Sequence, residues 1–464
     1  MNWLLLIVSI VFGFAILVAA FYFVVYFQSE EDKNVAYLPK IVVVIGITLA
    51  CINVMTLTSD VMNRDTGGGI DFSIILQIFL LATAVFVIAI VPFTTFYYEN
   101  VEDEDVHTIR SALMWTGATI FISGLFIGLM YAFLGYAVLP VTQLSCELQD
   151  DTNEATTVAL EGATKNISWT VRISPSVYII AFISFLGYIA FSIFGGIGLI
   201  ALPFDLIRAF RSRPKPLELD EYAFFKRKLN ARANELIETG REIEKKGKEG
   251  RKNRKKYNKF RAQVYLLEED YQKLVVAYKE RGGNPFKYWA KLIGGIVGSI
   301  LSLFWLLHII LYMFIDPPAS LFLNKYLILL DNAFSLFGTI TYALFSFYLL
   351  FCTIKGCIKF GLRVLWIPIH PIKYQDTMMS SLLFNTALIL VCSVAVTQFC
   401  STAFKDYIRL TAIEMLYGTQ ISNLKFFSYV FDVLLYVFFV FAGLTFIYLL
   451  IKPKDRKKEW DIDF

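Results

Sequence analysis

The sequence predicts an all-α polytopic membrane protein with nine transmembrane helices and a cytosolic antiparallel coiled-coil hairpin between spans five and six. Three observations support this prediction: the apolar composition, the nine long apolar stretches, and one long basic segment with a helical repeat. Apolar residues make up 57% of the 464 residues and charged residues 18%, with 43 Phe, against about 45–50% and about 25% in soluble domains. A water-soluble fold could not bury this much hydrocarbon. The composition therefore excludes a soluble enzyme, a disordered regulator and a secreted disulfide scaffold.

Nine stretches are long and apolar enough to cross about 30 Å of hydrocarbon, which takes roughly 20 residues. They are Trp3–Phe27, Ile41–Ser59, Ser73–Tyr98, Ser111–Val138, Val177–Leu202, Trp289–Ile315, Asn332–Ile354, Met378–Thr402 and Ser428–Ile451. The first could be a signal peptide, but no basic residue precedes it and no small-residue cleavage site follows it. We therefore expect the first stretch to stay as a membrane anchor.

The basic residues predict the orientation, because cytosolic loops carry an excess of Lys and Arg. If segment 203–288 is cytosolic, the shorter loops and the tail on its side carry 12 Lys and Arg, against 7 on the opposite side. The amino terminus is then extracellular or lumenal, and the carboxyl terminus is cytosolic. The predicted domains are residues 1–202 with a lumenal loop at 139–176, the cytosolic hairpin at 203–288, and residues 289–464.

The predicted lumenal side carries two further signals. Asn166-Ile167-Ser168 is a glycosylation sequon, so we expect Asn166 to carry a glycan. Cys146 and Cys400 are the cysteines best placed to meet an oxidising compartment. A Cys146–Cys400 disulfide and two unpaired thiols both remain open.

Segment 203–288 is the one long polar region, with 23 basic and 13 acidic residues. Its second half repeats apolar residues at alternating intervals of three and four, which is the a/d stripe of a coiled coil. The stripe consists of Tyr257, Phe260, Val264, Leu267, Tyr271, Leu274 and Tyr278. A looser stripe lies upstream at Phe225, Leu229, Arg232, Leu236, Gly240 and Ile243. Two such helices joined by a short basic stretch predict an antiparallel hairpin with a basic tip.

The basic tip has three interpretations: a solvated surface, a surface that binds a protein partner, or a site for anionic lipid. Nucleic-acid binding would need aromatic or groove-reading residues around the charges, and these are missing. The candidate partner-binding residues are Lys245, Lys246, Arg251, Lys252, Arg254, Lys255 and Lys256.

The sequence contains no signature of an enzyme. It has no GxxxxGK[ST] loop for a nucleotide and no HExxH helix for zinc. Cys352 and Cys357 lack the spacing and the histidine partners of a zinc site. We therefore expect neither catalysis nor a bound metal or cofactor.

Ionisable and amide side chains at membrane depth are costly to bury and are therefore functional candidates. The candidates for a substrate path are Asp60, Asp205, Arg208, His308, Asn385 and Gln398. Each has a structural alternative, because buried amides join helices by hydrogen bonds and an i, i+3 ion pair between Asp205 and Arg208 would steady a helix end.

Segment 355–372 follows span seven and shows an amphipathic pattern. Lys355, Lys359 and Arg363 recur at intervals of four, and Pro368 and Pro371 follow them. This spacing predicts an amphipathic helix in the cytosolic interface or a re-entrant segment.

Two motifs and their order in the chain carry a family resemblance. Span three ends in Val91-Pro92-Phe93-Thr94-Thr95-Phe96-Tyr97-Tyr98-Glu99, and span five ends in Ala201-Leu202-Pro203-Phe204-Asp205-Leu206-Ile207-Arg208. With a basic hairpin between five spans and four, this pattern resembles the lipocalin-interacting (limb-region) membrane receptor family, most closely its lysosomal cobalamin transport branch. Span two departs from that branch, because it ends in Leu57-Thr58-Ser59-Asp60-Val61 and not in a Leu-Pro-x-Asp form.

The resemblance implies a protein of lysosomal, other endomembrane or plasma membranes. It implies export of cobalamin from lysosome to cytosol, as carrier or as accessory to an ATP-binding-cassette transporter, with cobalamin as substrate and not as cofactor. The rival function is a non-transporting receptor or signalling scaffold that recruits partners through its coiled coil. A cavity lined by the intramembrane polar residues would favour transport, and solidly packed spans would favour the scaffold.

Overall fold

The structure is a computed structural model. It describes residues 3–29, 32, 37–65, 71–102, 108–145, 163–213, 215–246, 251–279, 281, 284–315, 317–334, 336–360, 362–364, 367–369 and 377–451. The helices are α1 (Trp3–Phe27), α2 (Tyr37–Asp65), α3 (Phe72–Val85), α4 (Val91–Glu102), α5 (Thr108–Leu134), α6 (Pro175–Arg211), α7 (Leu219–Lys246), α8 (Arg251–Lys279), α9 (Pro285–His308), α10 (Phe322–Ala333), α11 (Phe337–Phe360), α12 (Met379–Ala403) and α13 (Phe427–Ile451). The strands are β1 (Tyr136–Ser145), β2 (Ala163–Arg172), β3 (Leu362–Val364) and β4 (Ile367–Ile369). Three π-helical segments lie at Phe86–Ile90, Ile309–Met313 and Glu414–Ile421.

Nine helices within the described residues are long and apolar enough to span a membrane, as predicted. They are Ile10–Phe27, Tyr37–Asp65, Phe72–Val101, Ile109–Leu134, Pro175–Arg211, Pro285–Met313, Phe337–Lys359, Met379–Ala403 and Phe427–Ile451. The fifth continues through Pro203 to Arg211, past the predicted end at Leu202. Charged residues begin at Asp205, and they end the continuous apolar stretch without ending the helix.

The described chain forms two compact units. One comprises Met1–Ala201 with Leu301–Phe446, and the other comprises Leu202–Ile300 with Ile447–Phe464.

The core of the first unit forms around α2 and α12. Val43 and Ala50 of α2 are fully buried in one cluster with Leu383 and Leu390 of α12. Gly46 brings the two helices close together, because a methyl group there would collide with the side chain of Thr386. An aromatic cluster continues this core: the ring of Phe399 lies 5.2 Å from Phe191, 5.5 Å from Trp305 and 5.6 Å from Phe438.

The span ends of the first unit meet in two groups. Asp32, after span one, accepts hydrogen bonds from the Tyr98 hydroxyl of span three (2.8 Å) and from the backbone N–H of Met379 at the start of span eight (3.0 Å). At the other group, Val138 N–H donates to Asn423 O (2.9 Å) and Arg64 donates to Tyr407 O (2.7 Å). The chain therefore alternates between two ends of this unit, as successive crossings of a bilayer require.

In the second unit, α7 and α8 pack against each other in antiparallel directions. Leu217 N–H donates to Ala277 O (3.3 Å), and the ring of Phe260 lies against Gly240 near the other end. Leu229 and Leu274 are buried between the two helices. That this hairpin is a cytosolic coiled coil stays a prediction.

The contacts between α7 and α8 correct the predicted apolar stripe at some of its positions. Leu274 is buried as expected, but Tyr271 is 50% exposed, and the neighbouring Asp270 and Ala277 are buried. Asp270 takes the inner position because Arg232 on α7 is also buried and lies 3.5 Å from its carboxylate. A hydrophobicity pattern cannot predict a buried ion pair on a helix seam.

Two loops contain strands that the sequence analysis did not predict. The loop at 139–176 holds part of the antiparallel hairpin β1–β2, in which Tyr136 pairs with Arg172 and Val141 with Ile167. Span four therefore ends at Leu134, before the predicted end at Val138. The helix predicted in the amphipathic segment 355–372 ends at Phe360, earlier than the expected stop at Pro368 and Pro371, because β3 and β4 form a short antiparallel pair after it. Pro368, within β4, has no N–H with which to continue a helix.

Candidate functional site

The chain after α12 forms a compact segment, residues 403–413, which we call the clasped segment. It is held by side chains of α2, span six and α10, and it leads into the π-helical residues Glu414–Ile421. Its outermost residue, Leu410, has a positive φ of 65° and is 91% exposed. Because non-glycine residues seldom adopt this conformation, such positions often mark functional loops.

Two side chains cap the last turn of α12 at Ala403. His308 Nε2 lies 2.8 Å from the carbonyl oxygen of Ala403, and Asn324 Nδ2 donates to the same oxygen at 3.3 Å. Since a carbonyl only accepts, the proton of His308 is on Nε2. The imidazole ring stacks between Tyr312 (4.9 Å) and Phe404 (5.3 Å) and is fully buried. His308 therefore caps the carboxyl end of α12 from a buried position between two aromatic rings.

Tyr407 binds side chains of two other elements. Its N–H donates to Asn324 Oδ1 (3.2 Å), and its hydroxyl donates to Asp331 Oδ2 (2.7 Å). Its carbonyl accepts from Arg64 Nη1 (2.7 Å), and Arg64 also donates to Arg409 O (3.1 Å). One tyrosine thus connects the end of α2 to α10.

Asp331 lies between the clasped segment and the first turn of α11. Its carboxylate contacts Gly338, where a methyl group would overlap it, and accepts backbone hydrogen bonds from Gly338 and Thr339. Burial raises the pKa of Asp331, while the hydrogen bond from Tyr407 lowers it in part. Burial, and next the hydrogen bond to Asp331, raise the pKa of Tyr407 far above its usual range. The Tyr407 phenol therefore keeps its proton and donates it in a hydrogen bond to the Asp331 carboxyl, which accepts.

Asp60 and Asp406 fix the remainder of the segment. Asp60 is 3% exposed, and its Oδ2 accepts from Ile413 N–H at 2.8 Å. Asp406 accepts from the Tyr312 hydroxyl at 2.9 Å.

An open pocket of about 630 Å³ lies against the clasped segment. It is lined by Tyr312, Pro318, Lys405, Asp406, Arg409, Leu410 and Glu414. Its volume matches that of small-molecule sites, about 300–1,000 Å³, but it is open and largely charged where those sites are enclosed and mainly apolar. Two basic and two acidic side chains at one pocket suit a ligand that carries both donors and acceptors or both charges.

The four predicted path residues of the first unit, Asp60, His308, Asn385 and Gln398, do not form one site. Asp60 and His308 meet at the clasped segment, but each bonds to the backbone of that segment. Asn385 donates to Ser381 O one turn earlier in α12 (2.7 Å), and Gln398 accepts from the Ser184 hydroxyl of α6. Asp205 and Arg208 belong to the second unit.

The other predicted site residues are described only in part. α7 ends at Lys246 and α8 begins at Arg251, but the side chains of the predicted basic tip lie outside the described residues. Asn166 pairs with Thr142 in the β1–β2 ladder, and its side chain is also outside them. Cys400 is a buried free thiol, whereas Cys146 is outside the described residues, so the bridge between them stays a prediction.

Several residues of the clasp were missed by the sequence analysis. Arg64, Asn324 and Tyr407 carried no local signal, because each acts across more than 75 residues of chain. Asp331 had a weak signal, an acidic residue beside the predicted start of span seven. The dense set of polar residues after Ala403 was the only other indication of a structured segment.

Comparison with known proteins identifies the family. The chain matches the model of LMBR1-like membrane proteins over residues 5–280 and 284–450. It is 38% identical to a LIMR family protein of Dictyostelium discoideum, with 98% of each chain covered. It is 34% identical to LIMR family proteins of Oryza sativa subsp. japonica, with 98% of each chain covered, and of Arabidopsis thaliana, with 98% and 97% covered. No solved structure matches significantly.

These matches confirm the family resemblance seen in the two span-end motifs, while the cobalamin branch stays a proposal. The chain belongs to the LMBR1-like, or LIMR, family of integral membrane proteins.

Proposed function

We propose that this LIMR protein is a non-transporting membrane receptor or signalling scaffold. The observation that supports this proposal is the bonding of the intramembrane polar side chains to one another. Asn53 of α2 donates to Thr83 (2.9 Å) and to Ser393 (3.0 Å), and Gln398 pairs with Ser184. Polar groups that join helices in this way contribute to packing in a membrane. To contact a passing solute, they would have to break the contacts that hold α2, α3, α6 and α12 together.

The pocket at the clasped segment is the proposed ligand site of this receptor. It is open, it is lined by Lys405, Asp406, Arg409 and Glu414, and it lies on a segment fixed by hydrogen bonds. In the predicted orientation this end of the first unit is lumenal or extracellular. The α7–α8 hairpin would then lie in the cytosol and recruit a protein partner through its basic tip.

Cobalamin export is the second candidate, supported by the resemblance carried by the motifs at the ends of spans three and five. An accessory to an ATP-binding-cassette transporter needs no path of its own, so this role is compatible with bonded spans. A carrier would need to open the Asn53 and Gln398 contacts during each cycle. The lysosomal membrane is the location that this second function requires.

Reconstitution into sealed liposomes with labelled cobalamin tests the proposal. We expect no uptake above protein-free vesicles from the chain alone. Uptake by the chain alone that is lost in Gln398→Leu would overturn the scaffold proposal and assign a path to α12. Uptake only together with an ATP-driven transporter, with wild-type activity in Gln398→Leu, would support the accessory role instead.

A further inference from the structure

The part of the β1–β2 hairpin nearest the spans has one apolar face. Alternate residues of a strand point to opposite sides, and residues paired across two strands share a side. The pairs Ala137–Val171, Leu139–Trp169 and Val141–Ile167 therefore form one face. The opposite face is mixed and contains Ser168, Thr170 and Arg172 beside Val138 and Pro140. The Arg172 guanidinium lies 4.9 Å from the ring of Tyr131 and 5.9 Å from that of Tyr136.

Three of the six residues of the apolar face are exposed in the described structure. Trp169 is 64% exposed, Ile167 40% and Val141 39%. Only the base of the face is packed: Ala137 is 2% exposed and forms a β-bridge with Leu424. Exposed aliphatic and aromatic side chains on one side of a sheet indicate a surface that another apolar phase covers.

The hairpin is tied closely to two membrane spans. β1 begins two residues after α5 ends at Leu134, and β2 ends three residues before α6 begins at Pro175. Residues 423–425 add to the outer edge of β1, because Val138 N–H donates to Asn423 O (2.9 Å) and Lys425 N–H donates to Tyr136 O (3.0 Å). These bonds hold the base of the hairpin at the level where α5 ends and α6 begins.

The span that precedes the hairpin in the chain, α5, has an exposed apolar surface. Span four is the least buried of the nine described spans, and Phe126, Leu129 and Phe133 near its end are 52%, 54% and 77% exposed. In a membrane protein such a surface is covered by lipid. Trp169 lies three residues from the end of β2, roughly 10 Å along the strand. Tryptophan and tyrosine are enriched at this boundary between hydrocarbon and water.

We propose that the apolar face of the β1–β2 hairpin lies in the membrane interface, against the lipid at the bilayer surface where α5 ends. Leu139, Val141, Ile167 and Trp169 contact the boundary between acyl chains and headgroups. Ser168, Thr170 and Arg172 face water. Lipid is the occupant because the hairpin begins two residues after the exposed span α5, and Leu139, Val141, Ile167 and Trp169 carry no charge.

A photoreactive amino acid at single positions of the full-length chain tests this inference in membranes of expressing cells. Positions 167 and 169 lie on the apolar face, and positions 168 and 170 are the matched controls, since all four residues are exposed. We expect lipid adducts at 167 and 169 to exceed those at 168 and 170 several-fold. Equal labelling at the four positions would overturn the proposal. Protein adducts at 167 and 169 would overturn it in favour of a polypeptide partner.

Fluorescence gives a second measurement that does not need the photoreactive residue. In liposomes that contain brominated lipid, Trp169→Phe should remove part of the quenched emission of the seven tryptophans. An unchanged quenched fraction in the variant would place Trp169 away from lipid and contradict the proposal.

Discussion

Single carboxylates at the clasped segment hold several elements at once. Asp331 accepts from Tyr407 and contacts the first turn of α11, and Asp60 accepts from Ile413. Helix ends leave backbone groups without intrahelical partners, and these side chains supply them from distant parts of the chain. At the residue scale, the side chains that hold the clasped segment therefore act as helix caps supplied from distant parts of the chain.

Asp331→Asn should flatten the pH dependence of stability. Burial raises the folded-state pKa of Asp331 above its usual value of 3.8, so folding favours the protonated carboxyl. The contribution of this group is fully present below about pH 4 and is lost as pH rises through the folded pKa. Thermal unfolding of the detergent-solubilised protein between pH 3.5 and 7 measures it. Glu99→Gln, which changes an exposed carboxyl, is the control. If the stability of wild type and of Asp331→Asn depended equally on pH, Asp331 would not be the group responsible.

Tyr407→Phe should lower stability by about 1–3 kcal/mol, because it removes a hydrogen bond to a carboxylate. Tyr429→Phe, at a residue that is 78% exposed, should change stability by less than about 0.5 kcal/mol. If the hydroxyl acts through Asp331, Tyr407→Phe should cost less in the Asp331→Asn background. Additive losses in the double variant would show that the two groups are not coupled.

Helix packing in the first unit depends on close backbone contact at the element scale. Gly198 of α6 lies against the carbonyl of Cys352 in α11, and Gly356 of α11 lies against the carbonyl of Phe194 in α6. The contact is reciprocal, so a side chain at either glycine would separate the two helices. Small residues give membrane helices this close approach.

Gly198→Val should therefore destabilise the protein by about 1–3 kcal/mol or more, as overpacking does. Gly128→Val is the matched control, since an added methyl group there meets no atom within 4 Å. Fluorescence-detected size-exclusion chromatography after a heating series compares the two variants. Equal loss of the monodisperse peak in both would disprove a specific contact between α6 and α11.

The Arg232–Asp270 pair gives a second test at this scale. Arg232→Met leaves the Asp270 carboxylate buried without this cation, which we expect to cost about 3–5 kcal/mol of hairpin stability. Arg232→Met with Asp270→Leu should recover most of the loss, because neither charge is then buried. Hydrogen exchange of α7 and α8 amides in the full chain measures both, with the exposed Glu238→Ala as control. A double variant as unstable as Arg232→Met would contradict this account.

At the scale of the whole molecule, the nine spans could be predicted because length and apolarity are local properties of the sequence. The hairpin β1–β2 could not, because residues 136–138 continued the apolar run of span four and their partners lie beyond Asn166. The contacts of the clasped segment could not be predicted either, because they join distant parts of the chain: Arg64 and Tyr407 are 343 residues apart. Asp60 and His308 were predicted as functional from their polarity, but polarity alone could not distinguish a helix cap from a solute contact.

The topology and the side of the proposed ligand site both require that span ends alternate between two sides of a membrane. Epitope tags inserted at 153–154, between β1 and β2, and at 248–249, between α7 and α8, test it directly in sealed vesicles. One span separates the two positions, so we predict that protease digests the tag of the α7–α8 hairpin in cytosol-out vesicles and leaves the other tag intact. Digestion of both tags, or protection of both, would contradict the nine-span topology and the side assigned to the proposed ligand site.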